Sequence, residues 1–144
     1  MDQLDENLFK RNKHFLLGYS RMKKRIERLE QKLLELDDRL YNARTSTISD
    51  MPRGGVPVTF DDLVARKEDT QERVNYLTEK ARTIRREIYS VLDLLDDDRH
   101  VEVLELYFID GLSHEDIADE IGYSTRHIIR LYVEAVKSIS LIRN

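Results

Sequence analysis

Thr125, Arg126, His127, Ile129 and Arg130 fall within six residues, and side chains of these types can reach base edges or phosphates of a nucleic-acid duplex. The guanidinium of arginine is a planar fork of donors that matches the two acceptors of guanine or a phosphate. A good bidentate pairing on a base gives about 1–3 kcal/mol of discrimination. Such chemistry needs a helix held at its start and turned outward, and the flanking residues supply both. Ser124 is placed to cap that helix, while Ile128, Leu131, Ala135 and Val136 recur at the spacing of an inward face.

The preceding helix is expected to begin after Ser113, with Asp116 three residues on completing a capping box. It presents Ile117, Ala118 and Ile121 on one side. Ala118 is small where two helices must cross closely, and Gly122 follows the last apolar residue, where a left-handed backbone is easiest without a Cβ. Two short helices joined by such a corner form a helix-turn-helix, whose second helix lies in the major groove. A plain helical hairpin with Arg126 and Arg130 as solvated surface accounts for the apolar spacing, but not for cap, small residue, glycine and basic tip together.

Charged residues make up 36% of the 144 residues, with two prolines and five glycines. That balance predicts an all-α fold. The net charge of −4 is mildly unfavourable for a nucleic-acid partner. Its distribution is more telling: from Ser124 to Asn144, Arg126, Arg130, Lys137 and Arg143 stand against Glu134 alone. Cysteine is absent, which excludes disulfides and thiolate metal sites, and no apolar run suits a membrane span. The expectation is a protein of the reducing cytoplasm, with no membrane partner.

The elements that carry the reader come earlier. Residues 1 to 12 are polar with scattered apolar positions and are expected to fray at their start. Phe15, Tyr19, Met22, Ile26, Leu29, Leu33, Leu36, Leu40 and Ala43 then alternate four and three apart, the seam of a coiled coil. Arg25 with Glu30, and Lys32 with Asp37, would pair across a parallel dimer, so a homo-oligomer is expected. Lys10, Arg11, Lys13, Arg21, Lys23, Lys24, Arg25 and Arg28 face only Glu27 between residues 10 and 28. The first six are candidate contacts to DNA backbone; the solvated face of a charged coil is the alternative.

Thr45 to Thr59, with Pro52, Gly54, Gly55 and Pro57, breaks the helix, and its Met51-Pro52-Arg53-Gly54-Gly55 lacks the spacing and ending of a phosphate cradle. Asp61 and Asp62 suit the start of the next helix. A second seam runs through Val74, Leu77, Ala81, Ile84, Ile88, Val91 and Leu95. The domain reading is a helical coiled-coil hairpin over 1–97, antiparallel within a chain or shared between chains, followed by a helix-turn-helix domain over 98–144. Asp96-Asp97-Asp98 reads as a cap for a helix reaching about Ile109, since three neighbours in sequence cannot converge on one metal ion. His14 and His100 have no second ligand at helical spacing, and His114-Glu115 lacks the second histidine of a zinc-protease helix. No enzymatic activity, cofactor or metal is expected.

Val103-Leu104-Glu105-Leu106-Tyr107, Gly111-Leu112-Ser113, Ile117-Ala118, Ile121-Gly122 and Ser124 resemble the last DNA-binding region of bacterial sigma factors, which reads the −35 promoter element with its second helix. The resemblance implies base or phosphate contact at Ser124, Thr125, Arg126, His127 and Arg130. The whole chain also resembles small sigma-like late-gene regulators of phages and integrated elements, the ArpU and RinA type, in its basic coil and its Ser49 to Gly55 loop. No counterpart of the promoter-melting region of a full sigma factor is visible. Tyr123 stands where a small aliphatic residue is usual, and the acidic run Glu115, Asp116, Asp119 and Glu120 makes RNA polymerase a candidate partner through a basic patch. The expected function is sequence-specific binding of double-stranded DNA in transcription regulation. A small-terminase-like packaging subunit recognising viral DNA is the alternative.

Overall fold

The computed structural model describes residues 2–45 and 59–141, and every regular element among them is helical. The all-α expectation holds. The interior of the expected break at 45–59 lies outside the described residues. In chain order the helices are α1 (Gln3–Leu16), α2 (Gly18–Thr45), α3 (Phe60–Leu92), α4 (Asp98–Leu104), α5 (His114–Ile121) and α6 (Thr125–Ser138). They divide into two compact units, one of Met1–Met22 with Ala81–Asn144, the other Lys23–Lys80.

In the Lys23–Lys80 unit the end of the first seam packs within one chain, against residues of α3 that precede the second seam. Leu36 and Leu40 of α2 bury against Leu63 of α3, with Val64 alongside. Asp37 pairs with Lys67 at 2.6 Å, and Arg44 lies over the Phe60 ring at 5.6 Å. Later residues of α2 therefore meet earlier residues of α3, an antiparallel pair. Asp37 is used by Lys67 rather than by the lysine that a parallel dimer would bring. α3 starts on a reciprocal cap, in which the Asp62 amide donates to Thr59 Oγ1 at 3.1 Å and the Thr59 amide to Asp62 Oδ2 at 3.3 Å. Two otherwise orphaned amides are satisfied in this way.

The other unit is organised around α6, against which α1, α4 and α5 pack. Leu16, Ile88, Leu92, Leu104, Phe108, Ile117, Ile128 and Leu131 form its buried interior. Among the described residues α1 is a helix from Gln3. Its Phe9 meets Tyr132 of α6 edge-on at 6.0 Å. Asn12, fully buried, donates through Nδ2 to the Val136 carbonyl at 2.8 Å and the Ile139 carbonyl at 3.1 Å. Those carbonyls belong to the end of α6, where a helix leaves acceptors unpaired. The N-terminal segment is ordered because it closes the C-terminus of another helix.

Asp97 caps α4, accepting from the Arg99 amide at 2.9 Å, as the aspartate run predicts. The Arg99 guanidinium, then its amide, hold the Asp97 carboxyl down to about 2. The helix expected to run on to about Ile109 instead widens after Leu104 into a π-helical turn over Glu105–Ile109, closed by the Asp110 amide on the Glu105 carbonyl at 3.1 Å. Tyr89 of α3 donates its hydroxyl to Glu105 Oε1 at 3.0 Å, and burial together with that carboxylate pushes the phenol up to about 12.

Candidate nucleic-acid interface

The start of α5, the corner after it and the start of α6 are each fixed by one residue. Ser113 Oγ accepts from the Asp116 amide at 3.1 Å and starts α5. Gly122 takes a left-handed conformation at φ 81°, and the amides of Gly122 and Tyr123 both reach the Ala118 carbonyl, at 3.0 and 3.2 Å. Ser124 Oγ then accepts from the His127 amide at 3.1 Å and starts α6. Ala118 is buried, as the crossing requires. Ile128, Leu131, Ala135 and Val136 all turn inward.

With those four inward, the start of α6 shows its polar side. Arg126 and Arg130 are exposed, Thr125 and His127 half-buried, and Ile129 is 44% exposed. Ser124, Arg126, His127 and Arg130 together line a shallow hollow of about 250 Å³. Arg130 Nη2 donates to His127 Nδ1 at 2.6 Å, so the proton of the neutral ring sits on Nε2 and remains available to an acceptor. The Tyr123 ring stands edge-on to His127 at 4.8 Å, fixing the imidazole from the other side. Five of the expected contact positions are thereby gathered at one helix start.

Arg99 is a neighbour that spacing did not indicate. It is held by both carboxylate oxygens of Asp97, at 3.2 and 3.0 Å, and its charge is reinforced chiefly by that carboxylate and further by the Tyr123 hydroxyl. The signal lies in Asp97-x-Arg99, where a cap residue also grips the side chain two positions on. His100 bridges α4 to α6 through Glu134 at 3.4 Å.

Of the candidate backbone contacts, Lys10 and Arg11 are exposed on α1 and Arg21 donates to His14 Nδ1 at 3.0 Å. Lys13 sits over the Phe9 ring at 6.0 Å. These four belong to the unit that contains α6, whereas Lys23 and Lys24 belong to the other. The acidic residues Glu115, Asp116, Asp119 and Glu120 are all exposed on α5. The first two also favour the positive start of that helix.

No described helix is long and apolar enough to cross a membrane. No solved structure matches the chain. The chain is 34% identical over 85 residues to the RNA polymerase sigma-B factor of Bacillus subtilis, an alignment covering 59% of this chain and 29% of that protein. Residues 92–140 match the family model described as Sigma-70, region 4. That segment holds α4, the π-helical turn, α5, the glycine corner and α6, so this part of the chain is similar to region 4 of sigma-70 factors and has the form of a helix-turn-helix.

Proposed function

We propose that the chain is a sequence-specific regulator of transcription from phage or integrated-element genes, reading the major groove of duplex DNA with the helix that starts after Ser124. The observation that carries this reading is the division of α6 into a buried side, Ile128 and Leu131, and an exposed side, Arg126, Ile129 and Arg130. The guanidiniums serve as forked donors to guanine or phosphate, His127 Nε2 as a single donor, and Ile129 as an apolar contact for a thymine methyl. Ser124 and Thr125 lie at the helix start, where unpaired amides favour a phosphate.

In this reading the protein works in the cytoplasm of a bacterial host as a homo-oligomer on paired half-sites. The exposure of Leu34 and Tyr41, seven residues apart on α2, supports a second copy on that face. The acidic side of α5 is the surface offered to RNA polymerase. Selection of binding sites from random duplexes, repeated with Arg126→Ala and Arg130→Ala, tests the reading. The expected result is an enriched site for the unaltered chain and a loss of about 1–3 kcal/mol in preference for each substitution, with helicity by circular dichroism unchanged. A chain that enriches no site, or that scatters light as a large closed ring, overturns it.

A further inference from the structure

A second concentration of positive charge belongs to the Lys23–Lys80 unit, in the antiparallel pair of α2 and α3. Arg25, Arg28 and Lys32 of α2 and Arg73 of α3 line a hollow of about 200 Å³, with half-buried Leu29 as the remaining lining residue. All four cations are exposed and none is engaged in an ion pair among the described residues. Lys32 also lines the next hollow along the same helix pair, where Glu35 and Asp69 stand beside Arg39 and Arg66. Residues 25, 28, 29 and 32 share one face of α2 by helical spacing. The packing of α3 adds Arg73, which no reading of α2 alone would include.

Like charges around one concavity repel each other, and a bound anion relieves that repulsion. A hollow with apolar Leu29 in its lining and no acid there suits a phosphate group, and a phosphodiester backbone presents phosphates in series. We propose that this hollow binds backbone phosphate of duplex DNA without regard to sequence, as a site separate from α6. It adds to the function proposed above and does not depend on α6 selecting a sequence.

The test uses the full chain and its Arg28→Ala/Arg73→Ala variant, titrated with a duplex of unrelated sequence at several salt concentrations. The expected result is several-fold weaker binding and a salt slope smaller by up to about two, near 0.9 for each phosphate that is no longer neutralised. Preference for a selected site over the unrelated duplex should stay as it was. Thermal melting supplies a second measurement. The variant should melt above the unaltered chain at low salt, because repulsion is relieved, and should lose the rise in melting temperature that inorganic pyrophosphate gives the unaltered chain. Equal affinity and slope in the two proteins overturn the proposal. So does a variant that loses only the pyrophosphate response, which would assign the hollow to a small anion. Failure of the α6 reading looks different: no site is selected, while the salt-dependent binding of unrelated duplex still falls with Arg28→Ala/Arg73→Ala.

Discussion

Asn12 is the side chain on which the largest structural effect should rest. It is fully buried and gives both Nδ2 hydrogens to carbonyls at the end of α6. Asn12→Ala leaves two buried acceptors unpaired and opens a void, so a loss of about 2–4 kcal/mol is expected, read as the urea midpoint at constant slope. His114 makes a second prediction, in pH. Its ring stacks on Tyr107 at 4.7 Å and meets Tyr132 edge-on at 4.6 Å. Burial first, and the Lys13 charge second, hold its pKa below the usual histidine value. The unfolded chain therefore takes up this proton at higher pH than the folded one, and the stability contributed by the neutral ring is complete above about pH 6.5 and declines as pH falls below it. Urea titrations from pH 7 to 5 should show this decline, flattened in His114→Phe; a variant with the same slope would remove His114 as its source. Neither residue announced its role in sequence. Asn12 hides the apolar stripe of α1 because a polar residue stands at its centre, and the partners of His114 lie on two other elements.

Among the elements, the corner before α6 was the most legible, because caps and glycine act through their immediate neighbours. Ser113, Gly122 and Ser124 take the cap and corner roles that their types imply, although, among the described residues, the Asp116 side chain does not return the bond to Ser113 that a capping box needs. Gly122 allows a clean prediction: a Cβ there meets nothing within 4 Å, so only the left-handed backbone resists substitution. Gly122→Ala should cost about 1–2 kcal/mol and Gly122→Asn clearly less, measured by chemical unfolding. Equal costs would mean that the corner is held by something other than backbone preference. The π-helical turn was not legible. Tyr89 bonds Glu105 at its start and Gly111 turns the chain just beyond it, but Glu105 to Ile109 look helical in sequence whichever pattern of hydrogen bonds they take. The seam was legible as buried positions along most of α3 and at Leu36 and Leu40 of α2, while Met22 to Leu33 of the first seam are half-buried and Ala43 is exposed. The partner was not legible, since an alternation of three and four serves a second copy and a folded-back helix equally well.

For the whole molecule, the boundary that composition suggests at Asp98 separates residues that the structure packs together. Leu16, Ile88 and Leu92 are fully buried in the unit that contains α6. A fragment of residues 98–144 should therefore be less helical and bind a hydrophobic dye, while the full chain does not. A fragment with full-chain helicity and a cooperative melt would show that α4, α5 and α6 suffice alone. Packing between segments far apart in the chain is what local pattern conveys least, since each half of such an interface looks like an ordinary amphipathic surface.

The amide of Asn12 ties residues 124 and 127 positions apart. During synthesis the first helix leaves the ribosome long before the carbonyls it must hold exist, and until then its Phe9 and Leu16 have no surface on which to settle. A product that stops before residues 136 and 139 thus leaves α1 without the carbonyls it holds and α6 without its closing contact.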